Sequence, residues 1–396
     1  MPISASFLDV KFLLLLILLG VSRWIWPSRH FVLFGALGSA AVVGFTAPKT
    51  FVVITVISLG FLFPLHRLAC WARERHTPRW FSDNVIPVGI GLLVSILVLT
   101  KAHRHFTLPF LGGDRISAEL ISAVGFSYFI FRAINFLYIQ SLLRLKESNP
   151  FGLLFYALFP ATLTSGPIQK YQDFRLQLAS PAPLTGPLLA SVGYRLTRGY
   201  FRKVVVAFVL NEWVTRLLAI EAPTAWVSAS IVLLLYLYFY FDFAGYSDIA
   251  IAVGLLLGIK VPENFRKPFT ATTISEFWRN WHISLVDWFR DHVFIPLGGM
   301  RGTRFHAGSI ALLIMVLCGL WHGFTWSFLI WGTWHGIALW VEAVSGTKPI
   351  PPALRHGPRY WWRIAWTNTR VALACILFLP DTQAILRTLG GFARFN

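Results

Sequence analysis

The sequence predicts an all-α, polytopic membrane protein, and three observations carry that prediction. Of its 396 residues 56% are hydrophobic and only 13% charged, with a mean hydropathy of +0.62, whereas soluble domains carry about 25% charged residues. Apolar stretches recur along the whole length rather than in one block. Lys and Arg number 35 against 17 Asp and Glu, a net charge of +18; this excess fits basic loops beside an anionic membrane leaflet, so no nucleic-acid partner is needed to explain it.

The elements follow in chain order. Phe12–Val21 is preceded by Asp9 and Lys11 and followed by no small-residue cleavage site, so it reads as a retained membrane helix, not a signal peptide. Phe31–Phe45, Phe51–Leu65 and Val85–Leu99 are further membrane segments, the last two separated by a cluster of Arg67, Arg73, Arg75 and Arg79 with His66 and His76 that is placed in the cytoplasm. Leu120–Leu143, Phe151–Leu163, Leu188–Leu210, Trp226–Tyr240, Ile249–Ile259, Ile310–Leu320, Phe324–Val341 and Ile364–Leu379 complete the apolar set, with loops at Pro181–Pro187 and Pro349–Pro358. Several fall short of the ~20 residues a straight span needs, which points to re-entrant or broken segments. No long polar insertion or low-complexity tract interrupts residues 1–396, so a single membrane domain is expected.

One polar segment stands apart. Thr273 and Glu276 form a capping box that opens a helix. Phe277, Trp278, Trp281, Leu285, Trp288 and Phe289 then recur on one face, opposite Glu276, Arg279, Asn280, Asp287, Arg290 and Asp291. Such a helix either lies flat on the membrane or lines a polar cavity with His282 at the boundary of its two faces. A second histidine, His322 in Cys318-Gly319-Leu320-Trp321-His322-Gly323, ends an uncharged apolar run that starts at Ile310. An ionisable group there lines a pathway or, bonded to a neighbouring carbonyl, ties two helices together. His335 in Trp334-His335-Gly336 reads as packing, and Cys70, Cys318 and Cys375 as packing residues too scattered for a metal or redox motif. His103 and His105 read as a solvated loop pair, so no metal site is expected; nor is there a phosphate-binding loop, H-E-x-x-H, G-x-G-x-x-G or G-x-S-x-G.

Several ordered blocks give the chain a resemblance: Phe159-Pro160 with Ser165-Gly166-Pro167-Ile168 and Tyr171; Arg202-Lys203-Val204-Val205; Phe241-Asp242-Phe243-Ala244-Gly245-Tyr246-Ser247; Gly258-Ile259-Lys260 through Pro262-Glu263-Asn264-Phe265 to Lys267-Pro268-Phe269; Glu276-Phe277-Trp278 with Trp281-His282-Ile283-Ser284-Leu285; Trp288-Phe289-Arg290-Asp291; and Gly319-Leu320-Trp321-His322-Gly323. In this order, over a core of about 120–345, the chain resembles the bacterial membrane-bound O-acyltransferases, the family of alginate O-acetylation and teichoic-acid D-alanylation membrane proteins. It departs from the family pattern at Ile139 and Phe208, where Asp is frequent, and in the tail from Arg370.

The resemblance implies a ring of tilted helices around a thin central cavity in the bacterial inner membrane, with His322 as the catalytic histidine and His282 as the second functional one. It favours cavity lining for the Trp281-His282 helix. It implies no bound cofactor; the acyl donor would be a thioester, acetyl-CoA or an acyl carrier protein's phosphopantetheine arm. Besides membrane lipids, the implied partners are that carrier on the cytoplasmic side and a separate extracytoplasmic acyltransferase.

The chemistry is consistent with the residues. An attacking hydroxyl must lose a proton, and an imidazole with an ordinary pKa near 6.5 can accept it. His322 is the candidate base, and no Ser or Cys nucleophile motif flanks either histidine, which favours direct transfer. Trp281 and Trp321, flanking the histidines, and Asp242 and Tyr246 are candidate substrate contacts, although Asp242 in an aromatic run equally fits a structural salt bridge. Arg202, Lys203, Lys260, Arg266 and Lys267 either face donor phosphates or anchor to the membrane surface. Ile295-Pro296-Leu297-Gly298-Gly299 resembles the alginate branch of the family, which implies acetyl transfer to an envelope polysaccharide, teichoic acid or partner protein, while the compact length resembles the D-alanyl branch. The rival class is a proton-coupled transporter or flippase for an envelope lipid or sugar, which would show internal topology repeats.

Overall fold

A computed structural model describes residues 10–23, 30–75, 77–103, 125–143, 149–180, 183–299, 301–379 and 381–394. Helices make up the regular structure throughout these residues, and the β-pairing they contain is one isolated antiparallel bridge, Phe265 with Trp281. His76, His105 and the start of the Leu120–Leu143 stretch lie outside the described residues. Among those described, Pro48–Glu74, Arg79–Ala102, Ala225–Leu256 and Arg304–His322 are long and apolar enough to cross a membrane. Trp71, Trp80, Trp226 and Trp326, at least half exposed, lie in the first or last turn of long helices, where their amphipathic rings suit the membrane boundary.

The chain divides into two compact units. One comprises Ser4–Leu196 with Asp248–Pro262. Its helices include α1 (Val10–Ser22), α2 (Phe31–Thr46), α3 (Pro48–Glu74), α4 (Arg79–His103), α5 (Phe126–Leu142), α6 (Pro150–Leu158) and α7 (Tyr171–Ala179). Its core is a lattice of edge-to-face rings in which Phe155, Tyr156 and Phe159 each meet Phe174 at 5.2–5.4 Å. Arg132, 1% exposed, lies over Tyr156 at 4.7 Å, and Asn135 accepts the Tyr171 N–H at 2.7 Å. His66, counted in the basic cluster, packs into the protein. It is 2% exposed and meets Phe136 edge-on at 5.9 Å, while Arg67 beside it is exposed. The helix simply continues from the apolar stretch through Glu74, and successive residues on a helix point about 100° apart, so neighbours of one charge cluster face opposite environments.

The other unit comprises Thr197–Ser247 and Glu263–Asn396. A helix at Gly186–Tyr200 (α8) passes through a π turn at Phe201–Val206 into α9 (Ala207–Leu218). Then come α10 (Ala225–Leu256), α11 (Ile274–Trp278), α12 (Ile283–Phe289), α13 (Arg304–His322), α14 (Trp326–Ser345), α15 (Gly357–Ala374) and α16 (Thr382–Gly391). α10 joins two apolar stretches that the sequence reading kept apart. The acidic residues between them do not break the helix because each is neutralised: Asp242 pairs with Lys203, and Asp248 with Arg195 at 3.1 Å. α13 and α14 form a tight helical hairpin. A Cβ on Gly319 would meet the Phe328 carbonyl at 2.3 Å, and one on Gly332 the Met315 carbonyl at 2.4 Å, so both positions need glycine for the backbones to touch.

Candidate active site

His322 is the last residue of α13, and rings hold its imidazole on several sides. Phe328 stacks on it at 5.7 Å and 23°, and Trp331 and Phe378 meet it edge-on at 5.4 and 5.1 Å. Trp321 adds a tilted contact at 4.7 Å. The chain turns at Gly323 into α14, which brings Phe328 and Trp331 back against the histidine. The ring is half-buried, so it is fixed by packing yet retains some exposure.

His282 is built differently. The single amphipathic helix expected from Thr273 is broken into α11 and α12, with His282 between them in the left-handed conformation at φ 47°, ψ 49°. That conformation is costly for a residue with a Cβ, by roughly 1–3 kcal/mol, and such residues cluster at functional sites. The break is imposed by a distant strand of chain: the Asn280 carbonyl accepts the Arg266 N–H at 3.1 Å, Phe265 bridges Trp281, and the Asn264 carbonyl accepts the Ile283 N–H at 3.0 Å. These bonds replace the helical ones that Asn280 to Ile283 would otherwise make.

Carboxylates satisfy the buried start of α11. The Thr273 hydroxyl accepts the Glu276 N–H at 2.9 Å, as the capping box requires. Glu276 itself turns to the Thr272 N–H and hydroxyl, both at 2.8 Å, and to Arg355 at 2.6 Å. Glu342, on α14, accepts the N–H groups of Ile274 at 2.7 Å and Ser275 at 2.9 Å. Irregular backbone that is buried persists only where its polar groups find such partners.

The His282 side chain is 6% exposed and meets Phe243 edge-on at 4.6 Å. It lies outside the four helices long enough to span, and burial pushes its pKa down to about 3, which keeps the ring neutral. Trp281 stacks on Phe277 at 5.3 Å. From there ring contacts run without a gap through Trp278 (5.5 Å) and Trp331 (5.7 Å) to His322 (5.4 Å). The two histidine segments thus share one aromatic framework. His335 is fully enclosed in it, 5.0 Å from both Trp278 and Trp331, as the packing reading expects.

The remaining sequence-predicted residues fall in the same unit, except Lys260. Asp242 and Lys203 form a buried ion pair, and Tyr246, with no exposed surface, lies one helical turn on from Phe243. Of the basic candidates, Lys203 is thereby committed to Asp242, Arg202 lies 5.9 Å over the Tyr240 ring, and Lys260, Arg266 and Lys267 are exposed. Sequence reasoning passed over Glu342, Phe328, Trp331 and Phe378, and it used Asn264 only as part of a block. Glu342 did leave a signal: a carboxylate in the apolar helix Trp326–Ser345 is expensive and must have a partner.

Fold and residues together define a multi-pass, helical membrane protein whose two histidine segments share one aromatic framework. The chain belongs to the membrane-bound O-acyltransferase family (MBOAT), whose family model matches residues 67–360. It is 33% identical over 312 residues to a protein named probable alginate O-acetylase AlgI of Azotobacter vinelandii, covering 74% of this chain and 59% of that protein. It is 34% identical over 339 residues to a teichoic acid D-alanyltransferase of Streptococcus thermophilus, covering 76% and 80%. A peptidoglycan O-acetyltransferase of Helicobacter pylori is 36% identical over 257 residues, covering 61% and 46%. The chain spans little more than half the length of the Azotobacter alginate relative and of its Pseudomonas aeruginosa counterpart, at 59% and 56%.

Proposed function

We propose that the protein is an O-acyltransferase of the bacterial inner membrane. It moves an acyl group, acetyl in preference to D-alanyl, from a cytoplasmic thioester to a hydroxyl of an envelope polysaccharide, teichoic acid or partner protein. The acetyl preference draws on the names of relatives such as the alginate O-acetylases and the peptidoglycan O-acetyltransferase. The donor is acetyl-CoA or an acyl carrier protein thioester, and a separate extracytoplasmic acyltransferase works beside the protein.

The observation that carries this reading is the setting of His322, a half-buried imidazole fixed by rings at the end of a helix able to span the membrane. The acceptor oxygen attacks the thioester carbonyl carbon while His322 takes the hydroxyl proton. The carbon–sulfur bond then breaks, and the imidazolium returns the proton to the leaving thiolate, giving an ester and a free thiol. His322 lies at the carbonyl end of its helix, where positive charge developing on a base is favoured. The neutral His282 donates a hydrogen bond to the thioester carbonyl oxygen as negative charge builds there. Trp281 and Trp321 wall the reacting groups. Asp242, paired with Lys203, and the buried Tyr246 support α10 beside Phe243.

The test is reconstitution in liposomes with native partners, labelled acetyl-CoA or an acyl carrier thioester, and candidate polymer acceptors. Wild type should transfer label to a hydroxyl, and His322→Ala should lose about 10²–10⁴-fold in rate. No transfer from any thioester by folded wild type, or normal transfer by His322→Ala, overturns the proposal. Proton-coupled solute flux through the same liposomes supports the transporter class instead.

A further inference from the structure

We infer that Asn264 is a positioning residue that fixes the left-handed backbone at His282, and with it the point from which the imidazole projects. The inference rests on the acyl-transfer reading for its consequence, but its geometry stands independently. Asn264 has no exposed surface. Its side-chain carbonyl accepts the Ser284 hydroxyl at 2.7 Å and the Ser284 N–H at 3.3 Å, and its amide donates to the Ser247 hydroxyl at 3.2 Å. Its backbone carbonyl accepts the Ile283 N–H at 3.0 Å. The two residues directly after His282 are therefore both tied to Asn264, which is tied in turn to α10.

On the other side of His282, the Phe265 bridge to Trp281 and the Arg266 N–H on the Asn280 carbonyl fix the approach. His282 is thus held from both ends by one short segment, Asn264 to Arg266. A left-handed residue with a side chain does not persist alone; its surroundings must over-determine it. Asn264 supplies one acceptor for two donors on Ser284 and one donor for Ser247, and a buried aspartate would add a charge where the amide adds none.

Asn264→Ala should lower kcat by about 10–100-fold while KM for the thioester changes little, since small misplacements of a reacting group cost rates of this order. Ser284→Ala, which deletes one hydroxyl and keeps Asn264, should show a smaller loss in the same parameter, and Ser284→Thr should restore most of it. The decisive measurement is the cycle with His282→Ala. Once His282 is gone, Asn264→Ala should cost almost nothing further. If the two losses multiply instead, Asn264 acts on the fold at large and the inference fails. A second readout needs no transfer: carbethoxylation of His282, followed by mass spectrometry, should accelerate in Asn264→Ala and Ser284→Ala while the enclosed His335 stays protected. Acceleration in a protein that transfers nothing upholds the clamp and sinks the proposed reaction. Unchanged modification in a protein that does transfer sinks the clamp alone.

Discussion

His322 and His282 are both surrounded by tryptophan and phenylalanine, yet opposite kinds of backbone present them. His322 completes a regular helix and owes its place to ring contacts with Phe328, Trp331 and Phe378. His282 occupies a break between two short helices, in a left-handed conformation, and polar bonds from distant residues hold it there. A base that must accept and release a proton is served by a half-open ring with fixed walls. A group that must aim a hydrogen bond needs its backbone locked. The difference matches the division of labour proposed for the two residues.

The largest expected effect separates those roles. His322→Ala should remove about 10²–10⁴-fold of the transfer rate, the contribution of a general base. His282→Ala should cost less, about 10–10³-fold, with the loss in kcat, as removal of one stabilising donor does. Both variants are measured in the same reconstituted transfer assay. If His282→Ala is the more damaging of the two, the assignments must be exchanged.

The next largest effect concerns the ion pair behind Phe243. Lys203 and Asp242 are both buried, so Asp242→Leu alone leaves a buried ammonium and should destabilise the protein by about 3–5 kcal/mol. Lys203→Met with Asp242→Leu should recover most of that stability. Thermal unfolding in detergent reads both stability effects, and the transfer rate of the double variant is then measured. An active double variant makes Asp242 a support for the His282 neighbourhood; a stable but inactive one returns it to substrate contact.

These regions also differ in how far the sequence disclosed them. His322 was legible because an uncharged run from Ile310 ends on it, and helical continuity is a local property that the pattern of residues carries. The capping box at Thr273 was legible for the same reason. The break at His282 was not. Phe277, Trp278, Trp281, Leu285 and Trp288 keep helical spacing across it, so periodicity argues for one helix. What overrides periodicity is a set of bonds from Asn264, Phe265 and Arg266, far along the chain from any local cue. The same non-locality hid Glu342 and Arg355 as partners of α11 and its flanks.

Glu342 gives an intermediate test of that dependence. Glu342→Ala should destabilise by about 2 kcal/mol, because two N–H groups at the start of α11 lose their acceptor. Glu342→Gln, keeping one carbonyl oxygen, should recover part of it. The His282 modification rate should rise with Glu342→Ala if α11 anchors the break; an unchanged rate would assign the anchoring to Asn264 to Arg266 alone.

The smallest effect has the sharpest sign. At His282 the backbone is left-handed, where glycine pays no steric penalty, so His282→Gly should be more stable than His282→Ala by about 1 kcal/mol. At His322 the backbone is helical, where glycine is worse than alanine by about 0.5–1 kcal/mol, so the order should reverse. All four variants lack the imidazole, so the comparison cancels the lost ring contacts within each pair and leaves backbone conformation as the difference. Unfolding midpoints in one detergent are enough to rank them. If alanine is preferred at both positions, the left-handed turn does not survive removal of the ring, and His282 holds the break open as much as the break holds His282.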